Sequence, residues 1–110
     1  MKSLGRRKRG SMQASYALSR AADRDILTLL VSSIDTFGAF QTDVYINGLR
    51  DIFAMLATHP GSGVAFIHPR THRTYRRFHH GSHVIYYRQR ATDILIVRVL
   101  HARMLPEKHL

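Results

Sequence analysis

The side chains able to do chemistry crowd into one stretch of this chain. Residues 68–90 hold six arginines (Arg70, Arg73, Arg76, Arg77, Arg88, Arg90) and five histidines (His68, His72, His79, His80, His83), and no acid lies between Asp51 and Asp93. Tyr75, Phe78, Tyr86 and Tyr87 are interleaved with them, and Arg98 and Arg103 follow. The planar guanidinium grips phosphates or carboxylates through two parallel hydrogen bonds and stacks on aromatic rings, which lysine does not do. Such a surface suits RNA or an acidic protein, with the solvated face of a half-buried sheet as the plain structural alternative. The histidines predict no metal centre. Zinc needs three or four convergent ligands, no carboxylate stands among them, and strand alternation sends His79 and His80 to opposite faces. Gly61-Ser62-Gly63 follows a helical stretch instead of leading into one, so it reads as a helix stop, not a phosphate loop. Neither a Gly-x-Ser-x-Gly elbow nor a carboxylate pair in the basic half points to a hydrolase. No cofactor is expected.

The composition sets the frame for these groups. With 110 residues, 45% of them hydrophobic, the chain supports one domain with a modest core. The absence of cysteine excludes disulfides, thiolate zinc sites and cysteine catalysis, and fits a reducing cytoplasm. No apolar run approaches the roughly 20 residues that span a bilayer. The formal net charge of +10 is unevenly spread. Residues 2–9 carry five basic side chains, whereas residues 21–57 carry five acids against Arg24 and Arg50. An acidic middle and a basic second half imply an anionic partner.

Residues 1–12 read as a flexible basic arm or a non-native leader, since Gly10-Ser11-Met12 resembles a fusion scar; residues 13–110 form the single domain. Tyr16-Ala17-Leu18 reads as a short strand ending at Ser19, a helix cap. Ile26, Leu29, Leu30, Ile34 and Phe37 then recur at helical spacing, with Asp23 and Asp25 in the first turn, where the helix dipole favours negative charge. Gly38 ends that helix. Phe40, Val44, Leu49, Ile52, Phe53 and Leu56 make a second stripe, stopped by His59-Pro60-Gly61. Two helices joined by a very short turn predict an antiparallel hairpin. After Gly61 the period falls to two. Residues 64–68 read as a loop or irregular edge strand, and Thr74–Phe78, His83–Arg88 and Asp93–Leu100 as strands, the last of them central. The expected fold is α+β, a helical hairpin packed on a small, mainly antiparallel sheet.

Several of these segments carry a family pattern. Arg76-Arg-Phe-His-His-Gly-Ser-His-Val-Ile-Tyr-Tyr-Arg88, Ile94-Leu-Ile-Val-Arg-Val-Leu-His101, Arg103-Met104 and His109-Leu110 closely resemble the C-terminal half of ParE toxins, in the RelE/ParE superfamily of type II toxin–antitoxin systems. Tyr16-Ala-Leu-Ser19 and Ala22 through Ile26 resemble the N-terminal half, so the likeness covers residues 14–110. Leu105 departs from it, because many relatives carry an acid after Arg-Met. The resemblance implies a bacterial cytoplasmic toxin that inhibits DNA gyrase, is not a catalyst, and is held in a hetero-oligomer by a ParD-like antitoxin. It implies no membrane partner and no sequence-specific DNA binding by this chain.

By the same resemblance, Arg76, Arg77, Arg98, His101, Arg103, Met104 and Leu110 are assigned to the target. Ile26, Leu30, Val44, Leu49 and Phe53, with Arg76 and Arg77, are assigned to the antitoxin, which would also add a strand to an open sheet edge. The alternative is a RelE-like ribosome-dependent messenger RNA endonuclease. There Arg76, Arg77 and Arg98 would clamp phosphate and His83 or His101 would act as base or acid. The tail over 103–110 lacks the Tyr or Phe that such nucleases use. A non-enzymatic RNA-binding module is the third reading, although no Gly-Phe-x-Phe motif is present. Leu110, an apolar terminal residue, is expected to pack on the sheet.

Overall fold

The computed structural model describes Arg6–Arg7 and residues 15–110. The expected basic arm over residues 1–12 lies outside the described residues except for Arg6–Arg7, whose backbone forms strand β1. Strand β2 is Tyr16–Leu18, helix α1 is Arg20–Thr58, and β3 (Val64–Ile67), β4 (Thr74–His80), β5 (His83–Gln89) and β6 (Ile94–His101) follow. The sheet order is β1-β2-β6-β5-β4-β3. Strands β2 and β6 are parallel and every other pair is antiparallel. The chain is α+β, with a mixed sheet and β6 in its interior. Residues 64–67 are a regular edge strand, paired with β4 from Val64↔Arg77 to Ile67↔Thr74.

One expectation is corrected here. The sequence pattern predicts two separate helices joined by a turn; the structure has a single helical element of 39 residues with one non-helical residue, Gly38, at φ 86° and ψ 169°. A straight helix of that length would run to about 58 Å, yet the longest dimension of the molecule is 38 Å, so the helix bends hard at Gly38. A residue with a Cβ is strongly disfavoured at those angles, which is why one glycine can take the place of a connecting turn. Both arms feed one core. Ile26 and Leu29 from the first arm join Leu49, Phe53 and Leu56 from the second, against Ile85, Tyr87, Ile94, Ile96 and Val99 of the sheet.

The ends of the helix follow the sequence signals. The Ser19 hydroxyl oxygen accepts from Ala22 N–H at 3.0 Å, capping the first turn. The same residue stitches the helix to β6: its N–H donates to Ile96 O at 2.9 Å and its Oγ to Val97 O at 2.7 Å. At the other end His59 caps α1 and Pro60 opens a short 3-10 turn. Tyr87, fully buried, locks that exit, donating from its phenol to Pro60 O at 2.6 Å and accepting from Gly63 N–H at 2.9 Å. A Cβ on Gly63 would stand 2.6 Å from the Tyr87 oxygen and 2.8 Å from Arg77 O. Only glycine fits there.

The second face of the sheet has a smaller cluster, Val84, Tyr86 and Leu100, with Phe66 and Leu110 packed on it. Leu110 reaches it because the chain turns back after β6 through a 3-10 turn at Pro106–Lys108. Register jumps between β5 and β6, from Tyr86↔Arg98 to Tyr87↔Ile96, so Val97 is an extra residue in β6. That bulge puts Arg98 in the row with Tyr86 while Val99 returns to the helix side.

Candidate functional site

Arg98 is the most heavily engaged arginine of the basic half. Strand β2 ends at Leu18, so among the described residues no strand pairs with that edge of β6 beyond Ile96. Asp25 of α1 covers that edge: its Oδ2 accepts from Val99 N–H at 2.9 Å. The same carboxylate takes Arg98 in a two-pronged pair, Nε to Oδ2 and Nη2 to Oδ1, both at 2.7 Å. Arg98 Nη1 donates to His109 O at 2.9 Å, tying the tail to the strand. Hydrogen bonding to Asp25 raises the guanidinium pKa further, with partial burial opposing. Its donors serve the fold.

The other predicted arginines do not converge on Arg98. Arg76 and Arg77 project to opposite faces of β4. Arg76, half-buried, donates from Nη1 to Gly63 O at 2.7 Å, and Arg77 lies 5.4 Å from the centre of the Phe66 ring. Arg103 is exposed. Met104 is partly exposed beside the end of β6, and Leu110 is packed as described above. Leu49 and Phe53, assigned from the resemblance to the antitoxin, lie at 0% and 1% exposure in the core and offer no surface to a partner. An apolar stripe fixes a helix face but not what covers it. Ile26 and Leu30 are half-buried and Val44 is exposed. The exposed apolar side chains of α1 are instead Leu27, Val31, Ile34, Phe37, Phe40 and Val44, so the bend carries apolar surface past the sheet.

The predicted histidines separate into two groups. His68 is buried and structural: its Nδ1 accepts from the N–H groups of Arg70 and Thr71, at 3.0 and 3.2 Å, and so shapes the loop before β4. His83 and His101 are directly paired across β5 and β6, with ring centres 5.6 Å apart. Tyr45, which periodicity alone does not single out, is the missing member of that group. Its phenol donates to His80 O at 2.8 Å and lies 3.0 Å from His83 Nδ1. A carbonyl can only accept, so the one phenolic hydrogen is used there and His83 Nδ1–H donates to the phenol oxygen. That leaves His83 Nε2 with a lone pair. Burial pulls the His83 pKa down, helped by His101 and His80 and opposed by Asp25. Burial also pushes the Tyr45 phenol up. His101 has the opposite tautomer, because its Nδ1 accepts from Arg103 N–H at 3.1 Å. The two rings flank a cleft of about 300 Å³ between the first arm of α1 and β6, walled by Thr28, Leu29, Ser32 and Met104. Among the described residues, no three His, Cys, Asp or Glu side chains converge as a metal site.

Comparison with known proteins decides what carries this geometry. The profile of the family described as "ParE toxin of type II toxin-antitoxin system, parDE" matches residues 16–106. The chain belongs to the ParE toxin family. Toxin ParE1 of Caulobacter vibrioides is 37% identical over 95 residues, spanning 86% of this chain and 96% of the relative. A solved structure titled "Chromosomal ParDE TA system from P. aeruginosa" has the same fold, at a TM-score of 0.63 and 15% identity, covering 82% of this chain and 96% of that one. Within this ParE chain, Asp25 and Arg98 come from the two stretches that carried the family likeness, Ala22–Ile26 and Ile94–His101, and they meet in space. Among its described residues no helix is long and apolar enough to cross a membrane.

Proposed function

We propose that this ParE toxin acts by binding DNA gyrase and inhibiting it, in the bacterial cytoplasm, and that a ParD-like antitoxin holds it silent in a hetero-oligomer. Membership of the ParE family is the observation that carries this reading. The side-chain geometry adds to it. Cleaving RNA needs several cations around one phosphate. Arg98, however, is committed to Asp25 and His109, and Arg76 and Arg77 point away from each other. A binding toxin needs no such convergence. His101, Arg103 and Met104 are exposed where β6 leads into the tail, Arg77 is half-buried over Phe66 on the other sheet face, and these four are the residues assigned to the target. The antitoxin is assigned to the apolar flank of α1 at Leu27, Val31, Ile34 and Val44, where burial of exposed side chains would drive association.

Induced expression in bacteria tests the proposal. Plasmid DNA should lose negative supercoiling while messenger RNA stays intact, and co-expression of the acidic protein encoded beside this chain should restore growth. Codon-dependent messenger cleavage with unchanged supercoiling would overturn it.

A further inference from the structure

The cleft beside His83 and His101 is floored by the core residues Leu29 and Val99, and its hydrogen-bonding groups are set with definite polarity. From His101 comes an Nε2–H donor, and from His83 an Nε2 lone pair that becomes a second donor when the ring takes up a proton. Thr28 and Ser32, one helical turn apart on α1, add two hydroxyls, while Leu29 and Met104 give the same cleft apolar walls. We propose that this cleft is a subsite for one carboxylate side chain of the antitoxin, with the methylene stem against Leu29 and Met104 and the carboxylate on the side of the cleft that the two contacting imidazoles form together. The inference rests on the antitoxin reading above and adds to it a chemistry and a proton.

Charge selects the occupant. The groups facing His83 are Tyr45 and Asp25 from α1, His80 from β4 and His101 from β6. Asp25 is neutralised by its two-pronged pair with Arg98 but still presents an anionic edge to the cleft. A singly charged carboxylate is tolerated beside it better than a doubly charged phosphate. The exposed apolar residues Leu27, Val31 and Ile34 run along α1 beside Thr28 and Ser32. An amphipathic acidic segment could therefore lie on that flank and direct one carboxylate inward. Binding an anion here favours the protonated form of His83, so association and proton uptake are linked.

The test uses the purified chain and acetate as the probe, followed through the histidine ring signals by NMR. Acetate should shift His83 and His101 saturably and leave His79, on the opposite sheet face, unmoved. Affinity should be about tenfold higher near pH 5.5 than near pH 8. His101→Gln, at an exposed position, should weaken acetate binding without unfolding the chain, and His83→Gln should abolish the pH dependence. Inorganic phosphate binding more tightly than acetate would overturn the assignment in favour of a nucleic-acid backbone. Absence of any saturable shift would overturn the subsite itself. Either result leaves the antitoxin reading intact, because that one stands or falls on whether the acidic neighbour co-purifies.

Discussion

Asp25 and Arg98, 73 residues apart in sequence, are joined by two hydrogen bonds of 2.7 Å. The pair does three jobs at once. It closes the open edge of β6 at Val99, anchors the first arm of the helix, and through Arg98 holds the tail at His109. Helix, central strand and tail thereby share one polar junction at the border of the cleft.

Asp25→Asn should accordingly cost about 2 kcal/mol of stability, since it leaves a partly buried guanidinium without its counter-charge. Urea unfolding measures the loss. Amide exchange should show Val99 and residues 107–110 losing protection before the rest of the sheet. Uniform loss, with the tail no more affected than β5, would remove the junction from the account.

Gly63→Ala should destabilise by about 2–3 kcal/mol, because the new methyl meets both the buried Tyr87 oxygen and the Arg77 backbone. Tyr87→Phe should cost less, about 1–2 kcal/mol. It removes two hydrogen bonds, to Pro60 and Gly63, but creates no clash. Thermal or urea unfolding of the two variants gives the order.

The sequence was legible wherever a signal is local. Ser19 as a cap, Pro60 as a stop, the three strands β4 to β6 and the break at Gly38 all follow from short-range sterics and hydrogen bonding, whereas β3 reads equally as a loop or an irregular edge strand. What happens at Gly38 was not legible, because a glycine ends a helix or bends one depending on the packing of both arms. Arg98 looked like any other arginine of the basic half, since nothing in its neighbourhood names a partner 73 residues away. Tyr45 was hidden for a related reason: within α1 it is one more position of mixed character, and its role exists only where the β4–β5 turn comes back over it. Leu49 and Val44 show the limit from the other side. Both sit in the same apolar stripe, yet Leu49 is core and Val44 is surface.

Stability should fall with acid through His83. Its pKa in the folded state lies below the ordinary 6.5, chiefly through burial, so the unfolded chain binds the proton more readily. The stabilising difference is therefore fully present above about pH 7 and is lost as the pH drops through 6.5 toward the lowered folded value. His83→Gln should flatten the unfolding midpoint across that window. An unchanged slope would assign the effect to other groups.

Val31→Asp should leave stability within about 0.5 kcal/mol of the parent, because the side chain is 56% exposed. Capture of the co-expressed acidic antitoxin should nevertheless fall at least about tenfold, the equivalent of roughly 1.4 kcal/mol. Pull-down at fixed concentration reads the difference. Undiminished capture would move the antitoxin off this flank of the helix.

The most direct measurement is DNA supercoiling by purified gyrase in the presence of the purified chain. The account predicts dose-dependent inhibition or a stabilised cleavage complex. Prior addition of the antitoxin should relieve it, and removal of residues 103–110, which takes away Arg103 and Met104, should weaken it, with messenger RNA on programmed ribosomes uncut throughout. Full gyrase activity at saturating toxin, together with codon-dependent cleavage on the ribosome, would contradict it.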